Sequence, residues 1–137
     1  MLDKDSSLYD DKKDISANEK SLAEFKESRD NMLSELEETY KELISINVNS
    51  TEVKVYNEKL DDLVKTKHLI GIVEGILKAK GIEDIAVVPT EDKYNVLVKL
   101  KGELTNSQIA MIQKIIEEEF EVEPKNIRII RKNYWHI

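Results

Sequence analysis

The stretch 76–88, ILKAKGIEDIAVV, constrains this chain more than any other. Ile76 and Leu77 close a long run in helical register, and Lys78 and Lys80 suit the negative end of a helix dipole. Gly81 stands where a left-handed C′ residue ends a helix at no steric cost. Ile85-Ala86-Val87-Val88 then reads as a strand. Any fold for this chain has to turn from helix to strand within that span.

Upstream, Asn49 with Glu52 three residues on has the spacing of an N-cap with a reciprocal partner, Ser50 being the other candidate. Val53, Tyr56, Leu60, Leu63, Val64, Ile70, Val73 and Leu77 keep the helical period from there to Ala79. Gly71 and Gly75 lie one turn apart in that helix, and each lowers propensity by about 1 kcal/mol relative to Ala. They imply tight contact with a neighbouring element or, as the alternative, a hinge or bare interface stripe. Surrounding charges exclude the membrane reading of this spacing.

An earlier helix starts at Ser21, with Leu22, Phe25, Met32, Leu36, Tyr40 and Leu43 as its apolar stripe and Glu24, Glu27, Glu35, Glu38 and Lys41 as a solvated face. Residues 1–20 are polar and acidic and read as a flexible or loosely helical leader.

Downstream, Pro89 and the polar turn Thr90-Glu91-Asp92-Lys93 lead into Tyr94-Asn95-Val96-Leu97-Val98-Lys99-Leu100. The alternation of Tyr94, Val96, Val98 and Leu100 is that of a half-buried strand, so the two strands form a hairpin. Thr105 and Gln108 form a capping box, with Leu104 and Ile109 as a hydrophobic staple. The helix they open buries Ile109, Ile112, Ile116 and Phe120 and ends before Pro124, after which Asn126 to Lys132 forms a last strand.

From Ser50 the order is thus α-β-β-α-β, an α+β unit with two helices on one face of a three-stranded sheet. A right-handed crossover makes the second and third strands parallel. Patterning does not decide which strand the third one adjoins, but such a sheet has two edges that can accept another chain. The domain organisation read here is a leader over 1–20, a helical extension over 21–49 and the αββαβ domain over 50–137.

Composition narrows the function classes. In 137 residues, 40% are apolar and 36% charged, and the net charge of −7 disfavours a partner bound through its phosphates. The KH reading that αββαβ invites fails because no GXXG loop stands between helices. The absence of cysteine removes disulfides, thiolate catalysis and Cys-ligated zinc, and no phosphate-binding glycine loop occurs. His68 and His136 lack a second ligand at metal-binding spacing and read as solvated. Glu117-Glu118-Glu119, with Glu121 and Glu123, reads as a solvated helix end. No catalytic residue, metal site or cofactor is expected. The basic residues Lys125, Arg128, Arg131 and Lys132 are read as pairing within the molecule or between subunits, or as recognising a protein. No apolar run of about 18 residues and no signal peptide is present, so the chain as given reads as soluble, as would a chain lacking its membrane anchor.

The segments ILKAKGIEDIAVV, YNVLVKL, ELTNSQIAMIQKII and VEPKNIRII together resemble the C-terminal domain of the stage III sporulation protein AH (SpoIIIAH) family, and EFKESRDNMLSELEETYKELI resembles its helical extension. The likeness covers about residues 21–132. It implies an αββαβ ring-building motif in a mother-cell membrane protein of endospore-forming bacteria, carried by one N-terminal span and facing the intermembrane space. The span is missing here, so the chain is expected to be an ectodomain. The resemblance further implies a forespore partner of SpoIIQ type with a LytM-like fold, and a channel across both membranes.

Carried onto this sequence, the partner-binding segment is Ile127, Arg128, Ile129, Ile130, Arg131 and Lys132. An exposed edge strand there would supply affinity through its backbone and specificity through alternate side chains. Trp135 is read as packing on the sheet or contacting a partner. The expected function is a non-enzymatic assembly protein whose ring contacts are heterologous and individually weak, so that a lone ectodomain can run as a monomer. The alternative is a small regulatory or ligand-binding α+β domain dimerising through its helical arm.

Overall fold

A computed structural model describes residues 21–131. The expected leader, Lys132 and Trp135 lie outside the described residues.

Helix α1 (Leu22–Ile46) opens on a Ser21 capping box with Glu24. Helix α2 (Ser50–Ala79) is capped by Asn49, whose side chain accepts from the N–H groups of Thr51 and Glu52. The reciprocal bond expected from Glu52 is relayed: Asn49 N–H donates to Asn47 Oδ1, and Asn47 Nδ2 donates to the Glu52 carboxylate. Gly81, at φ 103°, stops α2. Ile82 N–H bonds to the Leu77 carbonyl and Gly81 N–H to that of Lys78, which are the two bonds of a Schellman motif. Ile82 and Leu77 are both buried in the core, the apolar contact that accompanies that motif.

Strands β1 (Asp84–Pro89) and β2 (Tyr94–Lys99) form the expected antiparallel hairpin. Helix α3 (Asn106–Phe120) starts on the Thr105–Gln108 capping box. A 3-10 turn over Pro124–Asn126 then leads to β3 (Ile127–Arg131). β3 pairs in parallel with β2, Val96 facing Ile129, so the sheet order is β1-β2-β3 with β2 central. The question left open by patterning is thereby answered: the third strand adjoins the second.

The core lies between α2, α3 and one sheet face. Val73 and Leu77, Ile112 and Ile116, Ile85 and Val87, Val96 and Val98, and Ile127 and Ile129 are all fully buried there. Tyr94 packs against Phe120 with ring centroids 4.6 Å apart and the ring planes tilted by 35°. Burial pushes the Tyr94 phenol up, partly offset by a hydrogen bond with Thr66.

Two expectations need correction. Met32 and Leu36 are exposed, because the buried stripe of α1 runs through Leu22, Arg29 and Leu33. Charged residues at inward positions hide that stripe from an apolar count. Gly71 and Gly75 meet nothing: a Cβ built at either finds no atom within 4 Å among the described residues, so tight packing is not their reason. They lie on an exposed face of α2 that also carries Val64, His68 and Ile72.

The expected two helices, α2 and α3, cover one face of the sheet, and the other face is covered as well. The first turns of α1 reach the opposite face, where Leu22 packs with Ala86 and Leu97, and Phe25 packs beside Val88 and Ile130. Leu97, placed on the polar side of β2 by simple alternation, is therefore buried.

Candidate functional site

β3 supplies the residues singled out for partner contact, and its alternation sorts them. Ile127, Ile129 and Arg131 are buried, the two isoleucines in the main core. Arg128 and Ile130 are half-buried on the opposite face, Ile130 against the cluster around Leu22. Lys132 lies outside the described residues. In this arrangement the Ile127 and Ile129 side chains are taken up by the core beneath α2 and α3, and Arg128 and Ile130 lie on the face that the start of α1 partly covers. On its outer side β3 has no strand neighbour among the described residues.

Of the basic residues, Arg128 and Arg131 lie on opposite faces of β3, and Lys132 lies outside the described residues. Lys125 Nζ lies 3.7 Å from the Glu123 carboxylate at the surface, and the Lys125 carbonyl accepts from Lys93 Nζ at 2.7 Å. His68 is exposed on α2.

The other edge, β1, is built quite differently. An antiparallel ladder turns every second residue's N–H and C=O away from its partner strand. At Val87 both groups meet helix side chains: the N–H donates to Glu74 Oε2 at 2.9 Å, and the carbonyl accepts from Arg29 Nη1 at 3.2 Å. Ile85, Val87 and Pro89 are thus the outward set. Ile85 N–H is bonded by the Asp84 carboxylate at 2.9 Å, and Pro89 has no N–H. No outward amide of β1 is left without an acceptor.

Arg29 and Glu74 are themselves joined at 2.6 Å, with side chains only 7% and 13% exposed. Removing one member of an ion pair at this depth costs about 3–5 kcal/mol, because the other is stranded. Arg29 also contacts Asp30 at 3.0 Å. Lys26 Nζ reaches Asp84 Oδ1 at 2.9 Å and Lys78 Nζ approaches it at 3.4 Å. Burial works against the charge on Asp84, but the bonds from Lys26 and the Ile85 N–H, with Lys78 nearby, outweigh it and hold its carboxyl below the ordinary value.

Farther along the helix pair, Lys67 and Lys41 hold the Glu37 carboxyl below its ordinary value, Lys67 at 2.8 Å. Tyr40 stacks on Tyr56 at 6.5 Å. The contacts 29 to 74, 37 to 67 and 40 to 56 run in opposite directions, so α1 and α2 are antiparallel.

Sequence reasoning did not single out Arg29, Glu74 or Asp84. The available signal was in α1: Leu22, Arg29, Leu33 and Tyr40 step by seven, four and seven, a helical stripe with a charge set into it. A long cation in such a position implies an acceptor on the facing element.

Among the described residues no helix is long and apolar enough to cross a membrane. Comparison with curated proteins gives no match. A solved structure described as the SpoIIQ-SpoIIIAH pore forming complex contains a chain similar in fold, with a TM-score of 0.70 at 18% identity, covering 80% of this chain and 95% of that one. The family model for SpoIIIAH-like protein matches residues 3–129. With nearly the whole length matched and the αββαβ fold in agreement, the chain belongs to the SpoIIIAH-like protein family.

Proposed function

We infer that this chain is a non-enzymatic assembly protein of the sporulation channel between mother cell and forespore. It docks a SpoIIQ-type partner with a LytM domain and stacks with copies of itself in a ring. The observation that carries this reading is the asymmetry of the sheet: β1 has its outward amides bonded by the Glu74 and Asp84 carboxylates, and β3 has no strand on its outer side among the described residues. An edge strand whose backbone is available can extend a partner's sheet. Membership of the SpoIIIAH-like family and the similar chain in the SpoIIQ-SpoIIIAH complex supply the partner. On this reading the domain faces the intermembrane space and is tethered to the mother-cell membrane.

Ring contacts would be heterologous, one surface of a copy meeting a different surface of the next, which permits weak pairwise association until the ring closes. The rival is a dimer formed through the helical arm: Leu22, Leu33 and Tyr40 of α1 pack within the chain, and its exposed apolar residues are Met32, Leu36, Val55 and Val64 among others.

The test is gel filtration with light scattering on this chain, alone and mixed with the SpoIIQ-type ectodomain of the same organism. A stoichiometric complex that Arg128→Glu abolishes, with circular dichroism unchanged, supports the reading. No complex, together with a concentration-independent homodimer, overturns it.

A further inference from the structure

Two carboxylates along β1 do the same thing. Asp84 Oδ1 accepts the Ile85 N–H at 2.9 Å and is gripped by Lys26 of α1 at 2.9 Å. Glu74 Oε2 accepts the Val87 N–H at 2.9 Å and is gripped by Arg29 of α1 at 2.6 Å. The amides are two residues apart on a strand, about 6.8 Å. The cations are three residues apart on a helix, about 4.5 Å of rise, which long side chains readily bridge. Arg29 continues to the Val87 carbonyl, so donor and acceptor of that residue are both occupied, as a neighbouring strand would occupy them. The third outward position is Pro89, which has no donor.

Such a device answers a specific hazard. The β1 run Asp84-Ile85-Ala86-Val87-Val88-Pro89 is apolar and β-prone, and an edge of that composition pairs with whatever strand it meets. We propose that Lys26, Arg29, Glu74 and Asp84 form a latch that stands in for a strand along β1, leaving the domain one pairing edge and giving its assembly a direction. Partners add at β3 and are refused at β1; with the latch undone, β1 accepts the β3 edge of a second copy. The proposal rests on the reading of β3 as the docking edge.

The decisive variant is the reciprocal exchange Arg29→Glu with Glu74→Arg in the full chain. It keeps an ion pair between α1 and α2 but turns a donor toward the Val87 N–H and an acceptor toward its carbonyl. If the pair merely joins the helices, the exchange is harmless; if it caps the strand, it is not. Val87 amide exchange, followed by NMR, should accelerate at least about tenfold, the protection given by one hydrogen bond. Light scattering should show association that grows with concentration and is suppressed by adding Arg128→Glu.

A folded exchange variant with unchanged Val87 protection overturns the latch. One with a fast Val87 amide that stays monomeric at every concentration, or whose association ignores Arg128→Glu, overturns the directional claim. Should the exchange variant not fold, Glu74→Gln and Glu74→Ala decide between the accounts. The amide oxygen of Gln still accepts, so Val87 stays protected in the first and loses protection in the second; equal behaviour in both contradicts the proposal. These readouts need no partner, so failure of the latch and failure of docking at β3 are separately visible.

Discussion

One substitution, glycine to alanine, should have opposite signs at two places in this chain. At Gly81 the φ of 103° lies beyond the left-handed basin near +57°, and a Cβ there meets no atom within 4 Å. The cost of Gly81→Ala is therefore conformational rather than steric, about 1–2 kcal/mol. With a urea m-value of about 1–3 kcal/mol/M, the unfolding midpoint falls by about 1 M. At Gly71 and Gly75 the added methyl also meets nothing, but the backbone is helical, so each change removes a helix-propensity penalty and stabilises by about 0.5–1 kcal/mol. Urea denaturation followed by circular dichroism measures all three. A neutral Gly81→Ala would refute the helix-stop reasoning. A destabilising Gly71→Ala or Gly75→Ala would mean that an element packs against that face after all.

Other expectations follow from the same geometry. Leu33→Ala removes a core side chain and should cost about 2–4 kcal/mol, whereas Leu36→Ala, at an exposed position, should cost under about 1 kcal/mol by the same denaturation assay. The folded-state carboxyl of Asp84 titrates below its ordinary 3.8, so its contribution is present above that value and is lost as pH falls through the lower one. Asp84→Asn should reduce neutral-pH stability by about 0.5–1 kcal/mol and flatten the acid limb of a stability-versus-pH curve below about pH 4, and an unchanged limb would contradict the pairing. The Tyr94 phenol should titrate above 10.0 by ultraviolet absorbance, and Phe120→Ala, by uncovering the ring, should bring it back toward that value.

Local chemistry made much of this fold legible. The Gly81 stop, the Asn49 cap, the Thr105–Gln108 box and the alternation of Val96 and Val98 each depend on a few neighbouring residues, and each stands where patterning placed it. The failures share a cause. Met32 and Leu36 looked inward because the inward positions, Arg29 and Glu37, are charged, and their acceptors and donors lie 45 and 30 residues away in sequence. Leu97 looked half-exposed because what covers it, Leu22 of α1, belongs to a segment separated from it by all of α2.

The β3 segment was legible as an edge-capable strand, but which of its side chains a partner can touch was not. That depends on the pairing of β3 with β2, set by a crossover through α3 and read only from the assembled sheet. The closure of β1 was equally hidden, since it requires two helices and a strand to meet at Val87.

The most direct measurement of the central claim is residue-resolved amide hydrogen exchange on this chain, with and without the SpoIIQ-type ectodomain. The account predicts slowing concentrated in Ile127–Arg131, with the β1 amides of Ile85 and Val87 protected equally in both states. Protection gained along β1 with none at β3, or no footprint on the sheet at all, would contradict it.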